Sequence, residues 1–170
     1  MFTRGYVQVY TGNGKGKTTA AIGLAIRAAG AGIKVFIGHF LKGKKTSEHN
    51  ILDKLSSLIK VEFYGREGFN ITSEDEKIVK KGFERIKEII SSKEYGVVIM
   101  DEINIAVHFG LLDVEEVIST VKNKPPELEL VLTGRNAHPK ILELADLITE
   151  MKEIKHYIKK GIKARVGIEK

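Results

Sequence analysis

An α/β fold is predicted for this chain: a three-layer, doubly wound, mostly parallel sheet with helices on both faces. Three observations predict it. Apolar strand-like runs alternate with helix-period segments from one end to the other. The first run, residues 6–10, leads into Gly12-Asn13-Gly14-Lys15-Gly16-Lys17-Thr18-Thr19 and then into an alanine-rich helix over residues 20–31. A later run, Val97-Val98-Ile99-Met100, ends in Asp101-Glu102, which puts a carboxylate at a strand's carboxyl end, where such sheets bind their ligands.

The remaining elements follow in order. Gly30 and Gly32 signal the end of the first helix. Residues 33–40 are almost continuously apolar, as in a strand buried on both faces. A polar stretch at 42–47 precedes a short helix at 50–58, a strand at 61–64 and a loop at 65–72. Ser73 with Glu76 has capping-box spacing and opens a long helix lined by Ile78, Val79, Phe83, Ile86, Ile89 and Ile90. The run 97–100 is the most apolar and is expected at the centre of the sheet, with 101–110 read as a loop. Asp113 with Glu116 caps the next helix, whose apolar side is Val114, Val117, Ile118 and Val121, and Pro125-Pro126 closes that unit. Residues 128–132 form a strand, Pro139 suits the first turn of a helix reaching about Ala145, and 147–151 read as a last core strand. Loops 12–17, 41–46, 65–72, 101–110 and 133–138 therefore share the ligand edge.

Composition bounds the chemistry. A length of 170 residues fits one nucleotide-binding domain spanning 1–170. The absence of cysteine excludes disulfides, thiolate metal sites and a cysteine nucleophile, so a reducing cytoplasm is expected. No apolar run has the length of a membrane span, and no signal-peptide pattern opens the chain. The net charge of +6 suits anionic ligands or an acidic partner, or else reflects a solvated lysine- and glutamate-rich surface. Nucleic acid is not expected: the basic tail from Lys152 carries only Tyr157 for stacking, and single-strand binders interleave aromatics with their bases.

The segment 12–19 between strand and helix has the pattern of a phosphate-binding loop, which predicts the P-loop NTPase fold of the RecA-like kind. Its glycines let successive amides curl around an anion, and the helix start adds its positive dipole end. Lys17 supplies a point charge and the Thr18 hydroxyl a ligand for Mg²⁺ (or Mn²⁺). Thr11 stands where the general pattern has glycine; Gly12 and Gly14, with the additional Lys15, take over the turn. Of Asp101 and Glu102, one is expected to reach the ion directly or through water, unless the pair merely caps a helix. The five histidines show no metal-ligand spacing and are read as structural or surface residues. These features predict a nucleoside triphosphate and a divalent ion, and leave open a RecA-like ATPase, a small-molecule kinase or another transferase.

Longer segments narrow the reaction. The run 10–21, the run 98–104, the run 132–139 with 142–151, and the C-terminal Lys155-His156-Tyr157 with 161–169 together resemble the ATP:corrinoid adenosyltransferase family over essentially the whole chain. The resemblance implies that the Co(I) centre of a reduced corrinoid attacks C5′ of ATP and that the whole triphosphate leaves, in adenosylcobalamin biosynthesis or salvage. It implies Gly12, Asn13, Gly14, Lys15, Gly16, Lys17, Thr18 and Thr19 around the triphosphate. Lys17, Thr18 and Glu102 are the implied catalytic set, with Thr18 and Glu102 at the metal and Asp101 behind them. Loop 65–72 resembles the family's corrinoid-facing loop. There Phe69 matches one aromatic that expels the lower axial ligand of cobalt, and Ile71 stands where a second aromatic is usual. Arg135 and Asn136 are further corrinoid candidates; read alone, they suit a surface turn. Family members are often homodimers, and an acidic flavodoxin-like electron donor would suit the positive charge.

Overall fold

The computed structural model describes residues 3–68 and 71–170. Among them, six strands form one sheet: β1 (Val7–Thr11), β2 (Val35–Phe40), β3 (Ile59–Tyr64), β4 (Val97–Asp101), β5 (Glu129–Thr133) and β6 (Leu147–Glu150). Their order across the sheet is β3-β2-β4-β5-β1-β6, and every pairing is parallel. The helices are α1 (Lys17–Gly30), α2 (His49–Leu52), α3 (Ser73–Ser92), α4 (Ile103–His108), α5 (Val114–Lys122) and α6 (Pro139–Leu144). No helix among the described residues is long and apolar enough to cross a membrane.

Strand alternation divides the core into two layers. Val97 and Ile99 of β4 face α1, where Ala21, Ala25, Ala28 and Ala29 let the helix lie close to Val35, Ile37 and Val131. Val98 and Met100 face the other way, under Val79, Phe83 and Ile86 of α3, Ile103 and Ala106 of α4, and Val117 and Val121 of α5. The period of 2 along β4 and the spacing along each helix thus meet in a three-layer sandwich. β4 lies inside the sheet, as its apolarity predicts. Since all strands run the same way, the ends of β1, β2, β4 and β5 open on one edge, and β5 stands between the glycine-loop strand and the acid-ended strand.

Several expectations change. Residues 103–108 are not loop but a two-turn helix, α4, too short to display a helical period in sequence. The capping box of α3 is Thr72 with Asp75, one residue earlier than predicted. Asp75 accepts from the Thr72 amide at 2.8 Å and its hydroxyl at 2.9 Å, whereas Glu76 pairs with Lys80 one turn on. Asp113 does cap α5 through the Glu115 amide, but Glu116 reaches across to Lys87 of α3 instead. The segment 147–151 is not a core strand. β6 is a sheet edge exposed along its whole length, with Leu147 and Ile148 about half exposed; its apolar residues misled because no helix covers them.

Asp75 also ties loop 65–68 to α3. Arg66 donates to it from Nε at 3.1 Å and Nη2 at 2.7 Å, which holds the Asp75 carboxyl well below the usual carboxylate range. A depressed folded-state pKa contributes stability above the unfolded value of about 4 and loses it as pH falls. Asp75→Ala should therefore cost about 1–2 kcal/mol at neutral pH through the lost cap. In urea melts at descending pH, the gap between variant and wild type should shrink; a constant gap would exclude the ionised carboxylate as its source.

Candidate functional site

The glycine loop joins the end of β1 to the start of α1. Gly12 and Gly16 have φ of 92° and 121°, in the region that favours glycine. Gly14 is required for a different reason: a Cβ there would lie 2.7 Å from the Met151 carbonyl oxygen. The segment after β6 crosses the loop at that point, with the Gly14 amide donating to the Met151 oxygen at 2.6 Å and the Met151 amide to Thr11 at 2.9 Å.

The two lysines of the loop point in different directions. Lys17 is buried and donates from Nζ to the carbonyls of Gly12 and Gly14, each at 2.8 Å. Lys15 turns outward to the C-terminal segment, where its Nζ meets the Tyr157 hydroxyl at 3.1 Å and Glu169 at 3.0 Å. Asn13 and Thr19 are exposed. Burial depresses the pKa of Lys17, Glu102 opposes that, and Arg135 adds to it.

Thr18 opens onto the acid pair. Its hydroxyl donates to Asp101 at 2.9 Å. Thr133, at the end of β5, donates to the same carboxylate at 2.6 Å and accepts the Glu102 amide at 2.9 Å. His39, directly opposite Asp101 in the β2–β4 register, adds a third bond from Nδ1 at 2.8 Å. Burial raises the Asp101 pKa, but these donors outweigh it and hold the carboxylate ionised. Both Asp101 oxygens are thereby engaged. Glu102, the N-cap of α4, has a left-handed backbone, φ 61°, and its carboxyl pKa is pushed up by burial and by Asp101, against the pull of Lys17, Arg135 and Lys42.

The donor set suits a hard cation. A hydroxyl with its proton committed to Asp101 turns its lone pairs outward, and Glu102 adds a carboxylate oxygen. Among the described residues no three acidic or histidine side chains converge, so an ion here would complete its shell with phosphate and water oxygens.

Other predicted residues surround this centre. Gly134 and Asn136 have φ of 129° and 54°, making the turn that carries Arg135 and Asn136, both exposed, off the end of β5. Loop 41–46 packs backbone to backbone on residues 65–67; a Cβ on Gly65 would lie 2.3 Å from the Lys42 amide. Ile71 is exposed, and Phe69 lies outside the described residues.

The histidines, read in the sequence as structural or surface residues, include a buried pair that the sequence did not bring together: the Nε2 atoms of His39 and His49 are 3.1 Å apart and both rings are buried beside Phe63. The available signal was a histidine inside the apolar run 35–40.

A parallel sheet with a glycine loop on one strand and an ionised aspartate two strands away defines a P-loop nucleotide-binding protein. The family model for ATP:corrinoid adenosyltransferase BtuR/CobO/CobP matches residues 3–169. A corrinoid adenosyltransferase from Sinorhizobium sp. is 38% identical over 98% of this chain and 80% of its own length. Those of Escherichia coli K12 and Salmonella typhimurium LT2 are each 36% identical over 98% of this chain and 86% of theirs. The chain belongs to the ATP:corrinoid adenosyltransferase family, and it is accordingly a transferase of adenosyl groups.

Proposed function

We propose that the chain, acting as one nucleotide-binding unit, moves the 5′-deoxyadenosyl group of ATP onto the Co(I) centre of a reduced corrinoid in adenosylcobalamin formation. The cobalt electron pair makes the Co–C5′ bond as the C5′–O5′ bond breaks, and the electrons of the broken bond leave with the triphosphate. The backbone amides of residues 12–19 hold that triphosphate. Lys17 exchanges its carbonyl partners for phosphate oxygens and neutralises charge as it gathers on the leaving group, an effect largest in a site closed to water. Thr18 and Glu102 hold Mg²⁺ (or Mn²⁺), which would supply Lewis-acid stabilisation of the polyphosphate; Asp101 orients Thr18. Arg135, Asn136, Ile71 and Phe69 face the corrinoid. Lys15 acts from outside the cup by fastening the C-terminal segment across it.

We assign the reaction to the cytoplasm, with an acidic flavodoxin-like protein as electron donor, in keeping with the net charge of +6. Homodimer formation over the uncovered β6 edge suits the exposure of Leu147 and Ile148.

The match of residues 3–169 to one family carries this reading. An anaerobic assay with ATP and Co(I)alamin tests it: tripolyphosphate and the Co–C product should appear in equal amounts, and ATP should persist without corrinoid. ADP and phosphate released in the absence of corrinoid would overturn the reading in favour of an ATPase.

A further inference from the structure

Beneath the site runs a line of hydrogen bonds from loop 41–46 to Asp101. The Thr46 amide lies 2.9 Å from His49 Nδ1, His49 Nε2 3.1 Å from His39 Nε2, and His39 Nδ1 2.8 Å from Asp101. Asp101, an acceptor only, requires a proton on His39 Nδ1. The two Nε2 atoms share one hydrogen bond, and His49 Nδ1 faces Thr46, whose amide, carbonyl oxygen and hydroxyl lie at 2.9, 3.1 and 3.2 Å. Thr46 belongs to loop 41–46, where its hydroxyl also takes a bond from Lys42 at 2.8 Å.

Packing alone does not call for this line. His39 is fully buried and His49 is 1% exposed, on the β2 face where Val35 and Ile37 meet α1; apolar side chains would fill that space without desolvating four ring nitrogens. What the line does is fix the Asp101 carboxylate, and through it the rotation of the Thr18 hydroxyl.

We propose that His39 is a positioning residue that aims the Thr18 oxygen at the divalent ion by orienting Asp101, with His49 holding the His39 ring in place through the contact between their Nε2 atoms. Outer partners of this kind set metal affinity without touching the metal. The proposal rests on the nucleotide–metal reading above.

The test is ATP binding by calorimetry across a Mg²⁺ series, without corrinoid, so that no turnover enters. In His39→Leu the Mg²⁺ concentration for half-maximal tightening of ATP should rise about 10-fold or more. His39→Asn keeps a donor for Asp101, since its amide nitrogen takes the place of Nδ1, and should stay within about threefold of wild type. His49→Leu should lie between the two, and ATP affinity without Mg²⁺ should be the same in all. His39→Leu that melts near wild type with an unchanged Mg²⁺ requirement overturns the proposal, as does His39→Asn behaving like His39→Leu. A wild-type protein that binds ATP equally with and without Mg²⁺ instead removes the metal reading, and the proposal with it.

Discussion

Lys17→Ala should lower kcat/KM for adenosyl transfer about 10²–10³-fold, the cost of deleting one charge-stabilising donor from a preorganised site. The reason is what Lys17 does before substrate arrives. Its Nζ sits on two loop carbonyls at 2.8 Å, buried and with a depressed pKa, so its charge is short of compensation and strengthens when phosphates enter. The same arrangement predicts a small structural effect. Truncation removes two hydrogen bonds but also a desolvated ammonium, and the net cost should be about 1 kcal/mol, or about 2–4 °C in Tm for a domain of this size. Steady-state kinetics beside a thermal melt check both: transfer near the wild-type rate would take Lys17 out of the mechanism, and a collapsed melt would make it a structural residue.

Asp101→Asn should produce the second large effect, on stability and on metal use together. The carboxylate accepts from Thr18, Thr133 and His39 within a site where it is 3% exposed. An amide of the same shape brings a donor where three donors already converge, so one of them loses its partner. The expected loss is about 1–3 kcal/mol. Freed from its acceptor, the Thr18 hydroxyl should rotate, and the Mg²⁺ requirement for ATP binding should rise about 10–100-fold. Chemical denaturation and the Mg²⁺ titration read the two effects separately. A variant as stable as wild type, with the same Mg²⁺ requirement, would mean that the converging hydrogen bonds have no hold on Thr18.

The parts of the site legible in the sequence are those whose chemistry is local. Residues 12–19 announce themselves because a loop that wraps an anion needs glycines, a lysine and a hydroxyl in a fixed order. β4 and its terminal Asp101 are legible because a strand buried on both faces reads as an unbroken apolar run. Local signals misled where a neighbour decides the outcome. Leu147 and Ile148 carry a core strand's composition but sit at an open edge. Ser73 and Glu76 have capping-box spacing, but Asp75, clamped by Arg66, pairs with Thr72 and makes it the N-cap. The outward turn of the Lys15 side chain to Glu169 and Tyr157 is likewise not legible in the loop.

From sequence alone come the parallel α/β architecture, the phosphate loop and the family resemblance, because strand period, helix period and motif spacing are properties of adjacent residues. Tertiary structure alone decided how the acid pair is used. The Thr18–Asp101 bond spans 83 residues of chain and the His39–Asp101 bond 62. Such contacts follow from strand order and register: only when β2 lies against β4 does a histidine inside an apolar run come to face the aspartate that is hydrogen-bonded to Thr18.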